Sequence, residues 1–277
     1  MKTIGWAMAL LLAAGGAAHA ETPPPPALKL WRLDCGTMLD APLDMFSDTL
    51  AYGGATAELT VSCYLIKHGE QYMIWDTGFG TEYIGKAPEE PFRITVQRSL
   101  VDQLADLGVT PDQVSIVGIS HNHGDHVGQA AYFPKAKLLL GAADLEAMRA
   151  GTGWGVEPQR LAPWLAPDSN AEGVTGDKDV FGDGSVTMLA MPGHTEGHHV
   201  LLVRLAKMGP VLLSGDQYHF RAQVENRGVP PFNWNRAETL ASHDRFERLA
   251  KNLNATAIIQ HEPGDVAKLP AAPQAAE

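Results

Sequence analysis

The sequence is poor in cysteine and in positive charge, and beyond its first twenty residues it has no long apolar run. With 2 cysteines in 277 residues it cannot be a disulfide-dense scaffold or a cysteine-based zinc module, both of which need several thiols at short spacing. Lys and Arg number 21 against 32 Asp and Glu, which disfavours nucleic acid as a partner because phosphate binding rests on clustered cations. No later segment approaches the roughly 20 apolar residues of a membrane span. The first twenty residues are built differently. Lys2 precedes an apolar stretch from Ala7 to Ala14, and the segment closes on Ala18, His19 and Ala20, the layout of a secretory signal peptide. Gly15, Gly16 and His19 interrupt it too early for a span, and no Cys lies nearby to carry a lipid. Cleavage before Glu21 and export to a periplasm or the medium are therefore expected.

Loss of residues 1–20 removes one cation, Lys2, and leaves 257 residues with 20 cationic and 32 acidic side chains, a formal charge of −12. That length supports one large core, so residues 28–263 are read as a single domain. The flanks are a Pro-rich leader over 21–27 and an Ala- and Pro-rich tail over 264–277 that reads as disordered. Cys35 and Cys63 fall in two expected strands, Leu28 to Cys35 and Leu59 to Ile66. An oxidising compartment permits a disulfide between them, and the alternative is a pair of inert buried thiols.

Apolar runs from Leu59 to Ile66 and Tyr72 to Trp75 flank the turn-like residues 67–70 and read as a hairpin, with His68 a solvated turn residue. Val96, Leu100, Leu104 and Leu107 recur at helical spacing before Gly108, and Ser115 to Ile119 reads as a strand. Further strands are expected at Lys137 to Leu140, Ser185 to Ala190, His199 to Leu205, Val211 to Leu213 and Thr256 to Gln260. Between them, Gly151 to Gly184 reads as long loops broken by short helices. A helix opening at Asn235 is expected to turn Leu240, Leu249 and Leu253 inward. Strands that meander and then alternate with helices suit an α/β fold of two mixed sheets packed face to face, although the pattern alone leaves this open. Gly80 to Lys86 partly matches a phosphate loop, but Ala87 stands where a Ser or Thr should be.

Chemistry concentrates at His121, His123, Asp125 and His126, four ligand-type side chains within six residues directly after a strand. Neutral imidazoles and carboxylates suit zinc or a similar divalent ion. In a looping backbone His121 and His123 project to one side while Asp125 and His126 turn another way, with Gly124 as the bend, so one segment can serve two neighbouring ions. A solvated polar loop, or a helix cap through Asp125, is the ordinary alternative. Against it, His194, Asp216 and His261 also stand after apolar strands or the turns that close them. His198 and His199 are expected to pack or hydrogen-bond rather than to ligate.

These residues resemble the metallo-β-lactamase superfamily, in the branch that includes N-acyl-homoserine lactone lactonases. The carriers are the run from His121 to His126, the Gly193 to His198 run, the Gly215 and Asp216 pair, and His261 at a strand end. The resemblance covers nearly the whole mature chain, with His194, Asp216 and His261 separated by 22 and 45 residues. It implies an αββα four-layer sandwich, two mixed β-sheets flanked by helices. It also implies two divalent metal ions, zinc first with Fe, Mn or Co as alternatives. His121, His123 and His194 would hold one ion, Asp125, His126 and His261 the other, and Asp216 would bridge. Asp76 looks like a carboxylate that orients a liganding imidazole, its alternative being an ordinary turn residue.

Two ions about 3.5 to 4 Å apart make hydroxide available near neutral pH and polarise an ester carbonyl, so hydrolysis of a lactone follows, with N-acyl-homoserine lactones foremost. Asp125 is the candidate proton shuttle. Lactonase relatives carry a tyrosine three residues after the bridging aspartate. Here Tyr218 stands at two and His219 at three, and strand alternation would let at most one of them face the metals. Met45, Phe46, Trp154, Trp164, Phe232 and Trp234 are candidate substrate walls or ordinary packing residues. Asp216 argues against a class B β-lactamase, and the tail lacks the basic site of thioester hydrolases. His123 speaks against flavodiiron enzymes. Organophosphate hydrolases, sulfur dioxygenases and a non-catalytic metal-binding protein stay open. The partner expected is a small lactone or ester, with the oligomeric state, a homodimer included, left open.

Overall fold

The computed structural model describes residues 27–90 and 92–277, so the signal-like segment and nearly all of the Pro-rich leader lie outside the described residues. β1 (Leu28–Pro42), β2 (Thr56–His68) and β3 (Gln71–Trp75) form an antiparallel meander, which β4 (Ile94–Thr95) extends at the β1 edge. After α1 (Leu100–Asp106), β5 (Val114–Gly118) pairs parallel to β3. Two further parallel strands, β6 (Lys137–Gly141) and β7 (Ala171–Val174), then complete a seven-stranded sheet in the order β4-β1-β2-β3-β5-β6-β7. The second sheet holds β8 (Lys178–Asp179), β9 (Val186–Ala190), β10 (His199–Leu205), β11 (Gly209–Leu213) and β12 (Thr256–Ile258), in the order β12-β11-β10-β9-β8. Its β11–β12 pair is parallel and the other pairs are antiparallel.

Strand alternation builds the layers. On β10, Leu201 and Val203 point into the inter-sheet core with Trp75, Met73 and Tyr64, while Val200 and Leu202 face the other way. There they meet Phe246 of α5 (Arg236–Asn252), and on the far side of the larger sheet Leu100 and Leu104 of α1 pack with Leu145 and Met148 of α3 (Ala142–Ala150). The result is the αββα sandwich.

Five expectations change, the first being that Gly151 to Gly184, read as loops broken by short helices, also carries β7 and β8. β1 runs on to Pro42, because bulges between Asp34 and Thr37 and between Met38 and Ala41 let it stay paired with β2. On α5, which Asn235 does cap, the fully buried face is Thr239, Ser242, His243 and Phe246, while Leu249 and Leu253 pack at the margin and Leu240 is only half-buried. The polar members face the metal loops rather than plain core. His68 is not solvated: its ring stacks on Phe181 at 4.1 Å and its Nε2 lies 2.8 Å from Asp183. The tail expected to be disordered is ordered. It begins in α6 (Pro263–Val266), buries Leu269, pairs Ala276 with Leu30, and ends with Glu277 ion-paired to Lys29 and Lys207. Cys35 and Cys63, opposite each other's strands with Cα atoms 5.9 Å apart, form the disulfide. Among the described residues no helix is long and apolar enough to cross a membrane.

Candidate metal centre

All seven predicted ligands meet where the two sheets open at their strand ends. His121 to His126 follow β5, and His123 sits at the N-terminus of α2 (Gly124–Val127), which carries Asp125 and His126, the His126 ring lying 4.1 Å from that of His121. Gly124 supplies the start of that helix rather than an unusual bend. His194 rides on the turn between β9 and β10, Asp216 follows β11, and His261 follows β12. Gly193 before His194 has φ 138°, and a Cβ there would come within 2.3 Å of the Thr239 backbone N, so only glycine lets this turn seat on α5.

The side chains divide into two groups, His121, His123, His194 and Asp216 in one and Asp125, His126 and His261 in the other, with ligand atoms inside each group within 4.8 Å of one another. In the first, His194 Nε2 lies 3.1 Å from His121 Nε2 and 2.9 Å from His123 Nδ1. Asp216 joins the groups. Its Oδ2 lies 3.3 Å from His194 Nε2 and 3.6 Å from His121 Nε2, and its Oδ1 lies 3.1 Å from His126 Nε2 and 2.9 Å from His261 Nε2.

The donor chemistry fits metal ions. The Nδ1 atoms of His126, His194 and His261 face Asp76 Oδ2 at 2.9 Å, Asn233 Oδ1 at 2.9 Å and Thr60 O at 2.8 Å. Each of these partners only accepts, so each Nδ1 carries the hydrogen and each Nε2 of a neutral ring turns a lone pair inward. His126 Nε2 is buried with no aligned hydrogen-bond partner, which suits a ligand atom. Burial holds the imidazoles of His121 and His123 well below their usual range and pulls His194 down to about 3. Burial also opposes charge on His126 and His261, yet the carboxylates around them, Asp216 first, outweigh it and raise both. Asp216 shows the converse: burial would raise it, but the imidazoles from His126 onward drive it well below the usual carboxylate range.

Tyr218 does not face this centre. The chain is extended there, so neighbouring side chains diverge. The Tyr218 hydroxyl donates to Glu247 Oε1 at 2.6 Å while its ring stacks on His243 at 4.1 Å. His219 points the opposite way, with Nε2 3.1 Å from Asp216 Oδ2 and its ring against Phe46 at 4.4 Å. Gln223 Oε1 accepts the His219 backbone N–H at 2.7 Å and faces its Nδ1 at 3.2 Å. His198 and His199 hydrogen-bond rather than ligate: His198 Nδ1 donates to Met191 O and its Nε2 accepts the Asp216 N–H, and His199 Nδ1 faces Gly197 O.

An apolar slot of about 110 Å³ ends on Asp125, Asp216 and His219, walled by Met38, Met45, Phe46, Phe79, Phe92 and Ile94. Trp154, stacked on Phe232 at 4.6 Å, separates it from a wider, more polar groove of about 300 Å³ that Trp234 also lines. Trp164, a candidate wall, is instead core, its indole N–H donating to Ala136 O.

The family model of the metallo-beta-lactamase superfamily matches residues 56–261, the span that carries every one of these ligands. The chain belongs to the metallo-β-lactamase superfamily. Within it, the N-acyl homoserine lactonase AttM of Rhizobium johnstonii is 28% identical over 241 residues, covering 80% of this chain and 89% of its own. A solved N-acyl homoserine lactone hydrolase with N-hexanoyl-L-homoserine at its metal centre superposes with a TM-score of 0.73 at 24% identity, over 89% of this chain and 98% of that one. AidC, a dizinc quorum-quenching lactonase, gives 0.62 at 18%, over 87% and 89%. The superfamily fold and the two ligand groups together make this a centre for two divalent metal ions.

Asp76 meets the His126 imidazole as expected, its Oδ2 2.9 Å from Nδ1, but pattern reading missed the other residues that hold the ligands. Asp144 on α3 accepts from Thr195 Oγ1 at 2.7 Å and from the Gly197 N–H at 2.9 Å, fastening the turn that carries His194. Gln260, Ser120 and Asn233 likewise hydrogen-bond to ligands or their neighbours, Ser120 Oγ lying 3.0 Å from His121 Nδ1 and 3.2 Å from His126 Nδ1.

Proposed function

We propose that this chain is a zinc-dependent lactonase that opens N-acyl-homoserine lactones. The observation that carries the reading is the apolar slot whose inner end is Asp125, Asp216 and His219, beside both ligand groups, because it seats an acyl chain with its ester carbonyl at the metals. Relatives named N-acyl homoserine lactonases and the dizinc AidC support the substrate and the metal. Two bound divalent ions supply an activated water and polarise the carbonyl.

The chain's own groups do the rest. Water adds across the ring C–O bond, so the products are a carboxylate and an alcohol whose oxygen needs a proton. Asp125 is the group placed to deliver it. Its Oδ2 lies 3.6 Å from both His126 Nε2 and His261 Nε2, and its side chain is 18% exposed, the most open of the ligands whose accessibility decides contact with substrate. His219 stands where relatives carry tyrosine and lines the slot on the Asp216 side, positioned to hydrogen-bond the reacting oxygens. Met45, Phe46 and Phe232 exclude water from the acyl chain.

The test is a panel of acyl-homoserine lactones, a simple γ-lactone, a β-lactam and a phosphotriester on one zinc-loaded preparation. Fastest turnover of the acyl-homoserine lactones is expected. Preference for the β-lactam or phosphotriester overturns the reading, and bound zinc without turnover makes the chain a metal-binding protein only. We propose in addition that the chain is exported, which residues 1–20 and the Cys35–Cys63 disulfide support. Intact mass of the exported protein should begin at Glu21, and uncleaved chain confined to the cytoplasm would contradict this.

A further inference from the structure

Gln260 has no part in the ligand set, yet its fully buried carboxamide touches both sheets at the metal centre. Oε1 accepts the Gly215 N–H at 2.9 Å and the Trp75 indole N–H at 3.2 Å. Both partners are obligate donors, so the amide orientation is not ambiguous, and Nε2 is the atom that donates to Asp76 Oδ2 at 2.8 Å.

Each partner leads directly to a ligand. Asp76 Oδ2 also accepts from His126 Nδ1 at 2.9 Å, while its Oδ1 accepts the Ser120 N–H at 2.7 Å. Gly215 precedes Asp216, and Gln260 itself precedes His261. Asp76 and Gly215 share an unusual feature: both have left-handed backbone, with φ 56° and 51°, one at the end of β3 in the larger sheet and the other after β11 in the smaller. Such a conformation persists in a non-glycine residue only when its surroundings hold it, and the Asp76 carboxylate is held by His126, Ser120 and Gln260. A Cβ at Gly215 would come within 2.7 Å of His198 Nε2 and 2.9 Å of Ser120 Cβ, so that turn is closely packed as well. The backbone of Gln260 adds two more ties, its N–H donating to Ser214 Oγ and its C=O accepting from Ser62 Oγ.

We infer that Gln260 is the positioning residue for the second metal ion: by clamping the Asp76 and Gly215 turns together it sets the spacing of His126, His261 and Asp216 Oδ1. The first group has supports of its own, His194 by Asn233 and its turn by Asp144, and connects to the Asp76 network at His121, through Ser120. The inference rests on the two-ion reading of the centre and is independent of the substrate.

Two variants test it. Gln260→Leu keeps the approximate bulk and removes all three hydrogen bonds. Gln260→Glu keeps acceptors for Gly215 and Trp75 but sets a carboxylate against Asp76. Metal-free protein is titrated with Co²⁺, followed by visible absorption and by competition with a chelator, with circular dichroism to confirm the fold. Wild type should take two equivalents. Both variants should bind one equivalent with unchanged affinity and the other about 10–100-fold more weakly, the usual scale for groups that orient ligands. If Gln260→Leu does not fold, the Gln260→Glu result decides alone. Wild-type affinity for both equivalents, or equal weakening of both in folded protein, overturns the inference. A wild type that binds two ions and opens no lactone would refute the proposed function and leave this inference standing.

Discussion

The two ligand groups are built from similar side chains and prepared for metal in opposite ways. Around the first, burial keeps His121, His123 and His194 neutral, and the supports that fix them are uncharged at the point of contact: Ser120 Oγ on His121 and Asn233 Oδ1 on His194. Around the second, burial is outweighed: Asp216, then Asp125 and Asp76, raise His126 above its usual range, and Asp216 with Asp125 raises His261. One group offers ready lone pairs, while the other offers carboxylate charge and rings that must first lose protons. Asp216 belongs to both, one oxygen to each.

The largest effect should therefore come from Asp216. Asp216→Ala removes a ligand from both groups and leaves imidazoles facing one another. Affinity for both equivalents should fall well beyond the about 10–100-fold typical of orienting residues, with lactonase activity falling in step. Isothermal titration of metal-free protein measures this, and a variant that lost one ion alone would show that the carboxylate is not shared.

Acid should separate the groups. An imidazole raised in the metal-free protein keeps its proton to higher pH, so an ion has to displace it, and binding weakens as pH falls through that raised value. A lowered imidazole is already deprotonated there. On acidification the second equivalent should leave first, observable as a two-step release of zinc to an indicator, and release of both in one step would contradict the contrast.

Asp144 sharpens the first group. Asp144→Ala should weaken the first equivalent by about tenfold and leave the second nearly unchanged, the mirror of the Gln260 variants. Burial raises the Asp144 carboxyl to about 6. Because the folded value lies above the unfolded one, its stabilising contribution is present below the unfolded pKa near 3.9 and is lost as pH rises to about 6, an upper scale of about 3 kcal/mol. In metal-free protein, denaturant unfolding of wild type should weaken across that window relative to Asp144→Asn, which has no such titration. The smallest effect belongs to the wall between slot and groove. Trp154→Ala, at an exposed position stacked on Phe232, should raise KM for a long-chain lactone by a few-fold through lost apolar contact and leave metal content unchanged.

The convergence of the seven candidate ligands was legible in the sequence because their chemistry is local: four lie within six residues, and each of the others follows a strand recognisable from its apolar run or the turn after one. Of the supports, Asp76 was legible from its motif, but Asp144 and Gln260 were not, since Asp144 reaches Gly197 across 53 residues and Gln260 reaches Asp76 across 184. The choice between Tyr218 and His219 depended on backbone direction after Asp216, where alternation allows one of them inward without saying which. Pairing of Cys35 with Cys63 depended in the same way on strand register. Composition misled at the C-terminus. An Ala- and Pro-rich tail reads as disordered, but Leu269 and Ala276 are buried and the terminal Glu277 finds two lysines.

Anomalous diffraction at the zinc edge from zinc-loaded crystals tests the shared-aspartate centre most directly. The account predicts two peaks about 3.5–4 Å apart, one among His121, His123 and His194 and one among Asp125, His126 and His261, with one Asp216 oxygen on each. A single peak, or two peaks with Asp216 on only one of them, would contradict it.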